Sequence, residues 1–490
     1  MSALTDLSAH ALAAHVAARD VSCREVMAAF LARIDAVNPG VNAIVSRRPH
    51  EELLAEADAR DAELARDPAT PRSFLFGLPQ AIKDIAQTAG IATTFGSPIL
   101  AHHVPTTDGL MAARMRAAGC IVVGKTNVPE FGLGSHSFNE VFGATRNAFD
   151  PTKSAGGSSG GAAVALATRM LPVADGSDSM GSLRNPAAWN NVYGFRPSQG
   201  RVPFWPSHDA WVTHFGTEGP MGRTVRDVAL LLDVQAGYDP RAPLSLASET
   251  SFAARLLAGD AVTPERPLRI GWLGDWDGHL AMEPGLLDTV RSALGRLEAA
   301  GLAVVEPIAL GFDPARLWRA WMTWRHWLVR DRIGVHLAAD PANRARIKPE
   351  ALWEHDQGES LSASDVMRAS AERTRFHEAM LAMFEHVDFV ASSTTQAWPF
   401  PVEWRWPLTV AGRSMDTYHR WMETVVPATF AGLPAISVPA GFSAAGLPAG
   451  LQLMGPARSD LEVLALAAAY EQVAGDILAV RPRLAIDATA

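Results

Sequence analysis

The stretch Lys153 to Pro186, KSAGGSSGGAAVALATRMLPVADGSDSMGSLRNP, constrains the fold more than any other part of the chain. Gly156 to Gly161 holds four glycines and two serines, and Gly176 to Ser182 holds three serines and two glycines. An ordinary turn needs one or two glycines. Two such clusters flanking an apolar run imply backbone brought into close approach, with hydroxyls gathered where the segments meet.

The texture around this stretch is α/β. DVSCREVMAAFLARIDAV carries Ser22 three residues before Glu25, a capping-box spacing that predicts a helix start, and HEELLAEADARDAELAR reads as a second, more polar helix. From Gly77 short strand-like runs (GLPQAIKDI, CIVVGKT) alternate with helical ones (GLMAARMRAAG, GGAAVALATRM). This alternation predicts an α/β fold with a large mixed, mostly parallel central sheet flanked by helices. Tyr238 to Pro267 reads as a linker before the strand LRIGWL, and the C-terminal part returns to strand, turn, strand and helix. Between Glu306 and Trp421 the composition shifts: nine of the 14 tryptophans fall there, among many Arg and His.

Charge and cysteine content narrow the class. A net charge of −9 without a Lys/Arg run argues against a nucleic-acid partner. Two distant cysteines, Cys23 and Cys120, give neither a disulfide framework nor a metal pair, and no His/Cys motif has metal-ligand spacing, so no metal or cofactor is expected. The N-terminus lacks a signal-peptide pattern and no run is long enough to span a membrane, which points to a soluble cytoplasmic protein.

Several short motifs have two readings. GCIVVGKT (Gly119 to Thr126) matches the P-loop spacing, but its middle residues read as a strand and Pro129 interrupts a following helix, so nucleotide binding is rejected. GGSSG (Gly156 to Gly160) matches the nucleophile elbow of α/β-hydrolases, yet a loop precedes it where that elbow needs a strand. The alternative is a glycine-rich helix N-terminus with free N–H groups. In GSDSMGS (Gly176 to Ser182) successive N–H groups can converge on one oxygen, as in an oxyanion hole, with the Ser182 hydroxyl beside it; an ordinary turn is the other reading. Lys83 in AIKDIAQ is either a strand-end lysine with its amine in solvent or a buried base of lowered pKa. The residues leave both open.

Taken together, GLPQAIKDI, GKTNVPEFGLGSHSFN, FGATRNAFDPTKSAGGSSGGAAVALAT, DGSDSMGSLRNPAAWNNVYGFRPSQGRV and TFAGLPAISVPAGF resemble the amidase signature family over most of the chain. The resemblance implies one domain over residues 1–490: N-terminal helices (1–70), a signature core (71–240), a variable helical substrate-side region (306–421) and a C-terminal return to the core (422–490). It implies a catalytic triad of Lys83, Ser158 and Ser182, with a cis peptide bond before the bridging Ser158. It also implies an oxyanion hole from the N–H groups of Ser179, Met180, Gly181 and Ser182, and support from Ser159, Ser177, Asp178 and Arg184. Gly132 and Phe131 would line the substrate side. Met180 departs from the commoner glycine of that loop and either narrows the acyl pocket or merely packs. The implied activity is hydrolysis of a carbon–nitrogen amide bond through an acyl-enzyme, without cofactor, by a monomer or homodimer. The two alternatives are the amidase subunit of a glutamyl-tRNA amidotransferase and a non-catalytic binding protein on the same fold.

LWRAWMTWRHWLVR (Leu317 to Arg330) has amphipathic helical spacing. At ~100° per residue Trp318, Trp321, Trp324 and Trp327 share one half of the helix, while Arg316, Arg319, His326 and Arg330 fall on the other. Core packing is one reading. A pocket wall in which Trp321 and Trp324 favour bulky aryl or alkyl amides, esters or carbamates is the second, and a membrane-surface helix is a third.

Overall fold

The computed structural model describes residues 2–212, 215–248, 250–258 and 266–483. The N-terminal part is helical as expected: Ala9–Ala18, Cys23–Val41 and His50–Arg66 are helices. Ser22 Oγ accepts from Glu25 N and the Glu25 carboxylate accepts from Ser22 N, closing the capping box.

Among the described residues thirteen strands occur in chain order: β1 Ile44–Val45, β2 Pro79–Lys83, β3 Ile121–Thr126, β4 Ala174–Asp178, β5 Tyr193–Arg196, β6 Thr217–Gly222, β7 Leu268–Trp272, β8 Ala303–Pro307, β9 Phe389–Ser393, β10 Thr409–Val410, β11 Arg413–Ser414, β12 Ala435–Phe442 and β13 Pro448–Met454. The main sheet has eight strands in the order β4-β6-β5-β12-β13-β9-β7-β8, and a three-stranded sheet runs β1-β3-β2.

The fold class is α/β with a large mixed sheet, and the direction of its ladders corrects one expectation. Within the eight-stranded sheet only β7–β8 and β7–β9 are parallel; the other five ladders are antiparallel. The cause lies in the connections. Helix Leu286–Ala299 carries the chain from β7 to a parallel β8, but no helix separates β5 from β6 or β12 from β13, so these return antiparallel. The strand of the rejected P-loop, β3, is buried throughout and pairs in parallel with β2.

The two sheets meet at β2 and β4 through a side chain: Lys83 N donates to Asp175 Oδ2 at 3.0 Å. Helix Gly160–Ala167, every residue buried, follows the first Gly/Ser cluster. Gly161 has no room for a side chain, since a Cβ would lie 2.4 Å from Asn127 N and 2.5 Å from Ala43 O. The close approach implied by the glycines is therefore real, with β1 and the end of β3 pressed against this helix.

Within the expected linker Phe252–Ala258 is a helix with Phe252 buried; Glu249 and residues 259–265 lie outside the described residues. Between residues 306 and 421 the tryptophan-rich segment is a helix, Pro314–Ala339, flanked by helices Pro349–Glu359 and Ala363–Phe384. Trp318, Trp321 and Trp324 are buried and Trp327 partly so, which removes the membrane-surface reading. The polar side differs from expectation at one residue. Arg316, Arg319 and Arg330 are exposed, but His326 is buried beside Glu354 of the neighbouring helix, its Nδ1 2.7 Å from Glu354 Oε2. Periodicity within one helix carries no information about a second helix laid on its polar face. Cys23 and Cys120 are buried free thiols, and among the described residues no helix is long and apolar enough to cross a membrane.

Candidate active site

Lys83 is the last residue of β2, and its amine points under the two Gly/Ser clusters. Its Nζ lies 2.8 Å from Ser158 Oγ, 2.8 Å from Ser159 Oγ, 2.9 Å from Ser177 Oγ and 3.3 Å from the Ser177 carbonyl. The residue is only 1% exposed, so the solvent-facing reading fails. Burial pushes its pKa down from 10.5 to about 7, against the opposing pull of Asp175, Asp178 and Glu218. The adjacent Asp84, the nearest carboxylate in sequence, turns away: it accepts from Thr94 N at 3.0 Å and faces Lys125.

Ser158 sits in the loop before helix Gly160–Ala167, and the Gly157–Ser158 peptide is cis. The elbow reading does not hold there, because no strand precedes Ser158. Among the described residues no histidine hydrogen-bonds to Ser158 or Ser182; His136 instead engages Ser154 Oγ at 2.8 Å and the Val402 carbonyl at 3.0 Å. Ser159 N donates to the Ser182 carbonyl at 3.1 Å, which ties the two clusters together.

The second cluster runs from the end of β4 into helix Arg184–Trp189. Arg184 grips the Asp178 carboxylate with two bonds of 2.9 Å, and Arg196 donates to the Asp178 carbonyl. Burial alone would raise the Asp178 carboxyl, but Arg184 and then Arg196 hold it well below the usual carboxylate range. Asp178 Oδ1 also accepts the Gly181 N–H at 2.8 Å. Gly181 is therefore turned toward Asp178, and of the four expected oxyanion donors Ser179, Met180 and Ser182 keep N–H groups with no protein partner among the described residues.

Met180 is 2% exposed and shares an apolar cluster with Phe215, Trp189, Trp321, Trp324, Trp421 and Val425. The indole N–H groups of Trp321 and Trp324 are buried without a partner among the described residues. On the other side, a Cβ on Gly132 would lie 3.7 Å from Ser158 Oγ, so its backbone stands beside that hydroxyl. Phe131 does not follow: its ring packs with Val329 and Ile333 in a different cluster, 5.4 Å from the His336 ring. Packing against the helix below outweighs a place at the site. Among the described residues no group of three or more His, Cys, Asp or Glu is placed to hold a metal ion.

Three neighbours of the site were not singled out from sequence. Ser135 Oγ donates to the Gly157 carbonyl at 2.5 Å. Asp175 and Glu218 are buried near Lys83, with Asp175 raised to about 6 and Glu218 to about 8, chiefly by burial. Asp175 carried a local signal, since two residues along a strand place it on the face of Ser177; Glu218 carried none.

The Amidase family model matches residues 25–464. A glutamyl-tRNA(Gln) amidotransferase subunit of Thermus thermophilus is 36% identical, with 95% of this chain and 96% of the relative aligned. An acylamidase of Rhodococcus erythropolis is 34% identical, with 95% of each covered. The solved structure of a bacterial aryl acylamidase superposes with a TM-score of 0.89 at 30% identity, over 97% of this chain and 99% of that one. Fold, family model and relatives agree that this chain belongs to the amidase signature family.

Proposed function

We propose that the protein hydrolyses the carbon–nitrogen bond of small amides with hydrophobic aryl or alkyl groups, with Ser182 as nucleophile, Ser158 as relay and Lys83 as base. One observation carries this reading: a buried amine lowered to about 7 lies 2.8 Å from Ser158 Oγ, in the loop bonded to that of Ser182. About half of such amines are neutral at pH 7, against fewer than one in a thousand for a free lysine. Neutral Lys83 takes the Ser158 proton, Ser158 takes the Ser182 proton, and Ser182 Oγ attacks the amide carbon. The oxygen that becomes negative is met by the N–H groups of Ser179, Met180 and Ser182. Collapse expels the amine, which receives a proton through Ser158, and water then cleaves the ester by the same relay.

The substrate class rests on the surroundings of Met180. An acyl or aryl group beside it meets the rings of this cluster, on whose Trp321, Phe215 and Trp324 the guanidiniums of Arg325 and Arg373 are stacked. The names of two relatives, an acylamidase and an aryl acylamidase, point the same way. Identity to an amidotransferase component supports a second reading, ammonia release from glutamine for a partner, whose polar substrate suits this wall poorly.

The test is a hydrolysis screen of aryl amides, alkyl amides, esters, carbamates and glutamine, run beside Ser182→Ala and with mass-spectrometric mapping of an alkyl fluorophosphonate adduct. Turnover of acyl anilides, lost in Ser182→Ala, with the adduct on Ser182, is the expected result. Glutaminase activity alone would favour the second reading, and near-normal turnover by Ser182→Ala would remove the nucleophile assignment.

A further inference from the structure

Lys83 is surrounded by more acid than a base of this kind needs. From β4 come Asp175 and Asp178, from β6 comes Glu218, and from β3 the cation Lys125 faces Asp84 and Asp175. These charges differ in how far the structure has already answered them. Asp178 is clamped by Arg184 and Arg196. Asp175 accepts the Lys83 backbone N–H and faces Lys125, while Lys125 Nζ donates to the Ala86 carbonyl and Thr88 Oγ1, each at 2.6 Å. Asp84 is occupied by Thr94. Glu218 is 8% exposed and no hydrogen bond to its carboxyl is found among the described residues; Asp175 Oδ1 is likewise buried without a partner among them.

Register puts that carboxyl where it matters. In the antiparallel β4–β6 ladder Glu218 is the direct partner of Ser177. Directly opposed residues of such a pair carry their side chains on the same face, with Cβ atoms ~4.5–5.5 Å apart. Ser177 Oγ is one of the atoms that hold Lys83 Nζ. Glu218 therefore occupies the sheet face that Lys83 packs on.

We propose that Glu218 is a positioning residue for the base: its carboxyl, set beside Ser177 by strand register, fixes how tightly Lys83 holds its proton. This rests on the reading of Lys83 as the base. An ionised Glu218 stabilises the Lys83 ammonium, and a neutral Glu218 releases it. Because burial lifts Glu218 to about 8 while Lys83 lies at about 7, the two titrate as a coupled pair. Above about pH 8, where both groups have lost their protons, the proton that Lys83 accepts from Ser158 is balanced by the Glu218 carboxylate.

The test is the pH profile of kcat/KM for wild type, Glu218→Gln and Glu218→Asp on one amide substrate, with the rate of fluorophosphonate labelling of Ser182 as a second readout. Removing the carboxylate leaves the ammonium less stabilised, so the rising limb of Glu218→Gln moves to lower pH by roughly one unit. Glu218→Asp, which keeps the charge but withdraws it by one methylene, gives a limb between the two. It carries the test by its downward shift if the Gln variant does not fold. A limb that stays in place or moves up, with activity reduced by one factor at every pH, overturns the inference and leaves Glu218 a packing residue. Lys83→Ala separates this from the reading beneath it. If that variant keeps its activity, Lys83 is not the base; if it is inactive while the Glu218 limbs do not move, only the role of Glu218 falls.

Discussion

Replacing Lys83 with methionine keeps most of the side chain and removes the buried amine, so it separates what the residue does for the reaction from what it costs the fold. In the wild type the amine is pushed from 10.5 to about 7 by burial. A group whose folded pKa lies below its unfolded one destabilises the fold wherever the unfolded chain holds the extra proton. The penalty is absent above pH 10.5, grows as the pH falls toward 7, and is complete below that. At about 1.4 kcal/mol per pH unit the full gap amounts to roughly 5 kcal/mol. Against it stand the hydroxyls of Ser158, Ser159 and Ser177, which lose a partner at about 1 kcal/mol each. Lys83→Met is therefore expected to be inactive yet more stable than wild type by about 1–3 kcal/mol at pH 6 to 7. That advantage shrinks by roughly 2–3 kcal/mol between pH 7 and 9. Urea unfolding of both proteins across this range measures it. A difference in stability that does not change with pH would mean that the amine titrates as an ordinary lysine, and the relay would lose its base.

Three other substitutions test the surrounding frame. Gly181→Ala places a Cβ 2.7 Å from Asn185 Oδ1 and 2.8 Å from Val425 Cγ2 at a residue with φ of +79°; unfolding should show a loss of about 2–4 kcal/mol, with kcat falling more than KM rises. Met180→Ala removes a buried side chain from the wall beside the nucleophile loop, at about 2 kcal/mol in stability, and should raise kcat/KM for branched or bulky acyl anilides relative to linear ones. Glu354→Gln leaves Arg325 buried without its carboxylate and should cost about 3–5 kcal/mol in urea unfolding. Because Arg325 and His326 hold Glu354 well below the usual carboxylate range, its stabilising effect is present above that range and lost on acidification. The variant should accordingly show a flatter acid limb of stability than wild type.

What could be read from the residues follows how local the information is. The Gly/Ser clusters holding Ser158 and Ser182 stood out by composition, while the roles of Lys83, Ser158 and Ser182 came from the family resemblance; the structure brings the amine of the first to the hydroxyl of the second. The capping box at Ser22 and the strand β3 were likewise legible from local sequence. The sheet was not, because strand direction depends on which strands neighbour one another, and a short run of apolar residues carries no mark of its partner. The charges behind Lys83 were hidden in the same way. Asp84 is adjacent in the chain and points elsewhere, whereas Glu218 is remote and arrives beside Ser177 only once β4 and β6 have paired.

The loop of the proposed oxyanion hole shows what such pairing adds to a motif. Read residue by residue, Gly181 is a donor to the substrate, and Asp178 and Arg184 are supports. In the structure the three act together: Arg184 fixes the Asp178 carboxylate, and that carboxylate draws the Gly181 N–H inward and also accepts from Leu183 N at 3.3 Å. A carboxylate held charged by a buried guanidinium is a strong acceptor, so these two N–H groups are committed before any substrate arrives. The positive φ of Gly181 lets the backbone reverse at that point. Donors fixed in advance need no reorganisation when charge develops, and this is the condition under which they stabilise a transition state. In the proposed mechanism the glycine before the nucleophile is thus required for the shape of the loop, while the donors belong to Ser179, Met180 and Ser182. For the same reason a methionine is tolerated at position 180: its N–H stays free of protein partners among the described residues while its side chain joins the tryptophan cluster.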